Sequence, residues 1–338
     1  MTGFVPLIEV TRGGQPECQH WGAVAVADRN GRVLARVGDP YTVTFTRSTI
    51  KAFQALPFMQ AGGAAALNWG QGELALLCAS HNGEPMHVVQ AERMLASVDK
   101  DYRALQCGCH RPLFAELGIF PMPDGFVPDE RHNNCSGKHA GFVAHCVLQG
   151  LTLEGHLDPV HPLQTAIRDQ VAQAVGLAPA QLIIGIDGCS APNYAMPLAN
   201  LARGYARLAG GAPDTDLHES LVALADAMVA RPELGSGTGR HDLDFMRIGQ
   251  GDWVSKTGAD GVQVVGSRSR GEAFALKIMD GNMVAQVAAA VEVMEQLGWL
   301  DTRQREALAP RRSRSIVNAK GLQVGERQAV FRMERNGG

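Results

Sequence analysis

The chain has 338 residues, enough for one large domain or two modest ones, because single hydrophobic cores rarely grow beyond about 250–300 residues. Hydrophobic residues make up 45% of the sequence and charged residues 19%, which excludes intrinsic disorder as the main state. The formal net charge is −3, and without a basic excess to neutralise phosphates we expect no nucleic-acid partner.

The amino-terminal residues lack a basic region followed by an apolar stretch, so we expect no signal peptide. No apolar run approaches the roughly 20 residues that a membrane-spanning helix needs, and we expect no membrane association. The seven cysteines are odd in number and scattered along the chain, which favours a reducing cytoplasm over a disulfide framework.

In chain order, the first predicted element is a β-hairpin, with an Asn-Gly turn at 28–31 between apolar strands at 21–27 and 32–37. An extended segment follows at 41–45. A helix is then predicted to begin at 46–49, and Pro57 predicts a kink or an early end.

Helices are predicted for the middle of the chain, and strands return after it. Apolar residues at helical spacing predict helices over 84–98, 136–148, 162–175, 217–229 and 283–297. Apolar and β-branched runs predict strands over 182–186, 252–255, 262–265 and 274–278. The segment 108–130 is predicted to be loop, and 311–333 to close the chain with a strand or two. This order predicts the α+β class, with a mostly antiparallel sheet flanked by helices.

Ser48 and Lys51 are three residues apart in a predicted helix, and they therefore lie on the same helical face. A serine hydroxyl needs an adjacent base to act as a nucleophile, and a neutral lysine amine is such a base. The same pair also suits an exposed helix start with a capping serine and a solvated lysine, so spacing alone leaves both interpretations open.

Two further polar segments follow apolar runs. Ser80 opens a Ser-His-Asn-Gly sequence after the run at 75–79, and such a switch can deliver a side chain to a cleft. The alternative is an ordinary helix end at Gly83. Lys256 follows the predicted strand at 252–255 and precedes two glycines that permit close backbone approach to a ligand. The alternative there is a β-turn with a solvated lysine.

A third segment carries candidate metal ligands. In a helix that begins near Cys135, the side chains of Cys135, Lys138 and His139 share one face. Cys135 and His139 could face a third ligand, for which Cys189 is the best candidate. Separately buried cysteines are the alternative. The Ser-Gly-Lys sequence here is not a phosphate-binding loop, because the full glycine pattern is absent.

Together these segments resemble the bacterial L-asparaginases first described from rhizobia, a family unrelated to the threonine-dependent asparaginases. The resemblance covers almost the whole chain, with its motifs in the same order. The most specific matches are RSTIKAFQ at 47–54, ASHNGEP at 79–85, NNCSGKHAGF at 133–142, DGCSAPNYA at 187–195 and SKTGADG at 255–261.

The resemblance implies a fold similar to that of serine β-lactamases and glutaminases, with the active site between a sheet and a helical region. We expect one catalytic domain over 1–338, and 84–230 is a candidate helical subdomain. The resemblance also implies two serine–lysine pairs, Ser48 with Lys51 and Ser80 with Lys256.

By the same resemblance, a zinc ion would be held by Cys135, Lys138 and Cys189. A lysine ligand must be neutral, which costs about 4.6 kcal/mol at pH 7 and which structural zinc can offset. The positions assigned to substrate binding are Arg47, His139 and Asp187.

We therefore expect an amidohydrolase that converts L-asparagine and water to L-aspartate and ammonia through an acyl-enzyme on Ser48. Lys51 would be the general base, kept neutral by burial and by the nearby Lys256 cation. A cytoplasmic homodimer is expected. The alternatives are a glutaminase, another serine–lysine hydrolase, or a non-catalytic zinc protein that binds an amino acid.

Overall fold

Two antiparallel sheets with helices packed around them make up the computed structural model, which describes residues 3–312 and 314–336. The strands are β1 (Val5–Arg12), β2 (Gln15–Asp28), β3 (Val33–Val37), β4 (Val43–Phe45), β5 (Ile183–Ile186), β6 (Pro192–Pro197), β7 (Trp253–Gly258), β8 (Val262–Ser267), β9 (Glu272–Ile278), β10 (Arg314–Val317), β11 (Gln323–Ala329) and β12 (Glu334–Arg335).

Most of the helices lie between the amino-terminal and carboxy-terminal strands. They are α1 (Lys51–Gln54), α2 (Leu56–Gln60), α3 (Gly63–Ala66), α4 (Gln71–Leu77), α5 (Pro85–Ala96), α6 (Leu113–Glu116), α7 (Ser136–Leu148), α8 (Pro162–Val175), α9 (Leu198–Gly210), α10 (His218–Ala230), α11 (Pro232–Gly235), α12 (His241–Ile248), α13 (Met283–Leu297) and α14 (Thr302–Arg312). Short 3-10 turns lie at Arg47–Ile50, Tyr102–Ala104, Glu130–His132 and Pro179–Gln181.

Across the described residues, the larger sheet has the strand order β10-β11-β1-β2-β9-β8-β7, and β3 pairs with β2 and β12. The smaller sheet has the order β4-β6-β5. Each of these pairings is antiparallel. The predicted α+β class with an antiparallel sheet flanked by helices is confirmed. β7 ends the larger sheet, so its outer edge faces the helical elements.

The larger sheet is buried on both faces, and β2 shows how its side chains divide between them. Val24 and Val26 point to the core that contains α13, whereas Ala23, Ala25 and Ala27 point to the core that contains α9. This alternation follows from the two-residue period of a strand. Small residues on the second face let α9 pack closely against β2, β8 and β9.

The sequence predicts many elements correctly but misses others. The hairpin turn and the helices α5, α7, α8, α10 and α13 are confirmed, as are the strands at 182–186 and in 311–333. The prediction misses β1 and the first part of β2, where exposed polar residues conceal the alternation. It also overlooks β6 and α9. The proposed domain limits stay a prediction. Within the described ranges, no helix combines the length and hydropathy needed to cross a bilayer.

Candidate active site

The backbone around Ser48 is fixed by residues far along the chain. Arg47 has a φ of 49°, a left-handed conformation that is strained for a residue with a side chain. Asn193 on β6 stabilises it, because its Oδ1 accepts from the Arg47 N–H (3.0 Å) and its Nδ2 donates to the Arg47 carbonyl (2.9 Å). The Tyr205 hydroxyl on α9 donates to the Thr49 carbonyl (2.6 Å). The half-buried Ser48 is therefore held in one backbone geometry.

Lys51 is buried one turn beyond Ser48, but its hydrogen bonds are with other segments. Its Nζ donates to the Ala79 carbonyl (2.6 Å), the Ser80 Oγ (2.9 Å) and the Asn134 carbonyl (3.3 Å). An ammonium has three N–H groups, so these acceptors occupy all of its donors. The structure thus joins Lys51 directly to Ser80.

Lys256 lies within β7, because that strand continues three residues beyond the predicted end. The Nζ atom is buried, and it donates to the Thr257 carbonyl (3.1 Å). Burial lowers the pKa of Lys256 to about 7; Lys51 and Arg240 act in the same direction, and Asp242 opposes them. About half of Lys256 is therefore neutral at pH 7. Within the described residues, no hydrogen bond joins Lys256 to Ser80.

Asp242 is a buried carboxylate on α12 that was not predicted from the sequence. One oxygen accepts from the Ser255 hydroxyl (2.7 Å) and the Gln263 side chain (3.0 Å), and the other from the Thr257 N–H (2.7 Å). The Lys256 Nζ lies 4.0 Å away. Burial alone would raise the pKa of Asp242, but neighbouring charges and donors hold it at about 2. Its only sequence signal is an acid in the first helical turn, which the helix dipole explains equally well.

The candidate metal ligands lie near one another at the start of α7 and after β5. Cys135 is the N-cap of α7, Lys138 and His139 follow within one turn, and Cys189 comes shortly after β5. The Lys138 Nζ lies 3.1 Å from the Cys189 Sγ. The buried His139 Nε2 is near the Cys189 sulfur without a well-formed hydrogen bond.

The chemistry of this donor set fits a zinc ion in part. Cys135 and Cys189 supply two sulfur ligands, which zinc favours. No group of three or more His, Cys, Asp or Glu side chains suited to a metal occurs in the described part of the chain. The Lys138 amine would therefore be the third ligand.

Arg47 and Asp187 line a cleft of about 440 Å³, together with Asp260 and Lys277. The Arg47 Nε donates to the Asp187 Oδ1 (3.0 Å), and its Nη1 pairs with Asp260. Two carboxylates therefore compensate the Arg47 charge. Ser48 follows Arg47 in the chain but does not line this cleft.

Comparison with protein families gives a match that covers most of the chain. Residues 8–329 match the family model of L-asparaginase II. No curated protein matches the chain.

Two solved structures show weaker similarity. A β-lactamase (Mb2281c) from Mycobacterium bovis is 15% identical, with 81% of this chain and 94% of that chain covered and a TM-score of 0.39. A novel penicillin-binding protein homolog from Caulobacter crescentus is 16% identical, with 80% and 92% covered and a TM-score of 0.38.

The family match extends over nearly all of the sequence, and the buried lysines and the serines lie within it. The chain therefore belongs to the L-asparaginase II family, whose activity is the hydrolysis of L-asparagine to L-aspartate and ammonia.

Proposed function

We propose that this asparaginase works through an acyl-enzyme on Ser48, with Lys51, Ser80 and Lys256 moving the protons. The observation that supports this best is the buried hydrogen bond between Lys51 and Ser80, one helical turn from Ser48. A serine and a lysine in hydrogen-bond contact can exchange a proton, which activation of a hydroxyl nucleophile requires.

The proposed reaction has two stages, acylation of Ser48 and hydrolysis of the resulting ester. Neutral Lys51 takes the Ser48 proton as the Oγ attacks the side-chain amide carbon of asparagine. The tetrahedral intermediate collapses, the C–N bond breaks, and the leaving nitrogen takes a proton from Ser80, which Lys51 replaces. Water then attacks the ester carbon and gives a proton to Lys51, the bond between the acyl carbon and the Ser48 Oγ breaks, and Lys51 returns that proton to the Oγ as aspartate leaves. Before attack, neutral Lys256 would relay a proton away from the Ser80–Lys51 pair, because burial lowers its pKa to about 7 and leaves it partly unprotonated at neutral pH.

Backbone N–H groups would stabilise the developing oxyanion. The Thr257 N–H donates to Asp242 rather than to β8, so it points to the outer edge of β7. Ala259 follows two residues later, at the start of the turn that leaves β7. We propose that Ala259 and Ser48 supply the two donors. Gly258 lies against the turn that carries Ser48, since a Cβ on Gly258 would come within 2.9 Å of the Thr46 carbonyl oxygen. This close approach suits two donors that act on the same oxyanion.

Replacing Ser48 tests the nucleophile. Ser48→Ala should lose nearly all ammonia release from L-asparagine, because no acyl-enzyme can form. Ser220→Ala removes another buried hydroxyl, on α10, and should keep normal turnover. The measurement is kcat in an ammonia-release assay, with folding checked by circular dichroism. Near-normal turnover by folded Ser48→Ala would contradict the proposed nucleophile.

The lowered pKa of Lys256 predicts a pH dependence. The neutral fraction of Lys256 increases as pH rises through about 7. We therefore expect kcat/KM to rise about tenfold per pH unit below that value and to level off above it. Lys256→Met should abolish this limb and most of the activity, whereas Lys320→Met, an exposed control, should keep both. A wild-type profile that is flat from about pH 5 to 8 would exclude this role for Lys256.

We propose further that the chain is of the rhizobial, zinc-containing type, with zinc on Cys135, Lys138 and Cys189. Although burial favours the neutral amine, the two neighbouring sulfurs raise the pKa of Lys138. Its ammonium therefore supplies positive charge between the cysteines, and a zinc ion would replace that charge. Zinc would position His139 and place a fixed positive charge beside the substrate. The proton transfers described above use no metal ligand.

Elemental analysis tests the zinc proposal. Protein purified without added metal should contain about one zinc ion per chain. Cys135→Ala and Cys189→Ala should each lose most of it. Cys146→Ala is the matched control, because Cys146 is a buried thiol on the same helix as Lys138 but outside the proposed site. Zinc-free wild-type protein, or equal zinc in all three variants, would contradict the proposed ligands.

The smaller sheet supports a proposal about assembly. Val43 and Phe45 on β4 and Ile183, Ile184 and Ile186 on β5 are exposed apolar side chains. Exposed apolar patches of this kind commonly mark protein–protein contacts. We propose that this sheet is the contact of a homodimer. The seven free cysteines suit a reducing compartment, and we place the dimer in the cytoplasm.

Light scattering after size-exclusion chromatography tests the dimer. Wild-type protein should have twice the mass of the chain, and Ile183→Asp should be monomeric, because it places a charge on the sheet face that also carries Val43 and Phe45, where it is costly to bury. Val160→Asp alters an exposed apolar residue elsewhere and should leave the mass unchanged. A monomeric wild type, or a dimeric Ile183→Asp, would contradict the proposed contact.

A further inference from the structure

Arg240 is a buried arginine with an incomplete set of partners. It lies immediately before α12 and is 9% exposed. Its only side-chain hydrogen bond among the described residues is from Nη1 to the Asn82 Oδ1, at a long 3.4 Å. Its buried Nε has no partner. A guanidinium carries five N–H donors, so most of its hydrogen-bonding capacity is unused.

A second buried arginine, Arg207, shows which hydrogen-bond partners a buried guanidinium has elsewhere in this protein. Arg207 on α9 is 4% exposed. It donates to the Arg29 and Gln173 carbonyls, each at 3.0 Å, and forms an ion pair with Asp214 at 3.0 Å. Burial alone therefore does not explain the missing partners of Arg240.

The nearby carboxylates are already engaged. Asp242 accepts three hydrogen bonds and faces Lys256, as described above. Glu84 accepts from the Asn82 side chain and from the N–H and hydroxyl of Thr238. Within the described residues, no carboxylate lies within 4 Å of Arg240. Asp242 favours the charged guanidinium only from beyond ion-pair distance, so this position suits an anionic ligand.

Arg240 faces an open cleft on one side and the loop that carries Ser80 on the other. It lines a cleft of about 300 Å³ whose other lining residues are mostly apolar, among them Ile119 and Met283. On its other side it contacts Asn82, two residues after Ser80. Its charge also acts on Lys256, where it adds to the effect of burial in lowering the pKa.

The other candidate for an anion, Arg47, is less suitable. Asp187 and Asp260 both pair with its guanidinium, so it carries little uncompensated charge. An incoming carboxylate would have to compete with two resident carboxylates there. At Arg240 it would meet a guanidinium with free donors.

We propose that Arg240 binds the α-carboxylate of the amino-acid substrate and so selects amides that carry one. The planar guanidinium presents paired N–H groups that match the two oxygens of a carboxylate. Asparagine anchored in this way would direct its side-chain amide toward the Ser80 loop and Ser48. This inference rests on the proposed asparaginase mechanism and adds the group that recognises the substrate.

Binding of the product tests the inference without turnover. Calorimetry with L-aspartate should show binding to wild-type protein and binding about 10- to 150-fold weaker to Arg240→Gln, the range expected for a charge-assisted hydrogen bond. Arg240→Lys should lie between them, because it keeps the charge but not the planar fork. 3-Aminopropanoate, which is aspartate without its α-carboxylate, should bind wild type and Arg240→Gln equally.

Kinetics and a matched control separate recognition from structure. In Arg240→Gln we expect kcat/KM for L-asparagine to fall by a similar factor, mainly through KM. Arg207→Gln removes a buried arginine that is fully partnered; it should lower the melting temperature without changing KM. If Arg240 has only a structural role, Arg240→Gln will resemble Arg207→Gln, and the inference is wrong.

The remaining outcomes distinguish a failure of this inference from a failure of the proposed mechanism on which it rests. Ammonia release from L-asparagine by wild-type protein, combined with equal L-aspartate binding by wild type and Arg240→Gln, would overturn the role of Arg240 alone. Absence of both ammonia release and L-aspartate binding in the wild type would overturn the proposed function, and the role of Arg240 with it.

Discussion

The buried ammonium of Lys51 is the interaction on which the arrangement of the site depends. Its three hydrogen bonds join α1 to the Ala79 carbonyl, to the Ser80 hydroxyl and to the carbonyl of Asn134, which precedes the N-cap of α7. A charge at this depth is tolerated only when its donors are satisfied, so these segments must approach one another closely. The same contacts bring the Ser80 hydroxyl to the lysine that lies one turn after Ser48.

A second constraint is the scarcity of negative charge around the buried cations. Asp242 faces Lys256, but hydrogen bonds from β7 and β8 already occupy its oxygens. Burial together with repulsion from Lys51 and Arg240 lowers the pKa of Lys256 to about 7 despite that carboxylate. The same scarcity of negative charge that makes Lys256 a proton acceptor near neutral pH also leaves N–H donors of Arg240 available to bind an anion. One arrangement of charges can thus serve both proton transfer and substrate recognition.

The parts of the site that depend on local spacing were predictable from the sequence. Cys135, Lys138 and His139 share a helical face because the helix period is fixed, and the structure has them there. The partners of Lys51 and Lys256 were not predictable, because Ser80 and Asp242 approach them only through tertiary packing. Burial of an arginine is likewise a property of the whole fold. The motif resemblance implies which residues react and pairs Ser80 with Lys256, whereas in the structure the Ser80 hydroxyl accepts a hydrogen bond from Lys51.

The central claim is that a covalent aspartyl ester forms on Ser48, and mass spectrometry tests it most directly. Wild-type protein mixed with L-asparagine and quenched in acid within milliseconds should gain the mass of one aspartyl group, and peptide mapping should place the adduct on Ser48. Lys256→Met lacks the proton acceptor used before attack and should therefore form the same adduct more slowly. An adduct on Ser80 would contradict the assignment of the nucleophile. Turnover of asparagine without any adduct in the wild type or in Lys256→Met would contradict the acyl-enzyme itself.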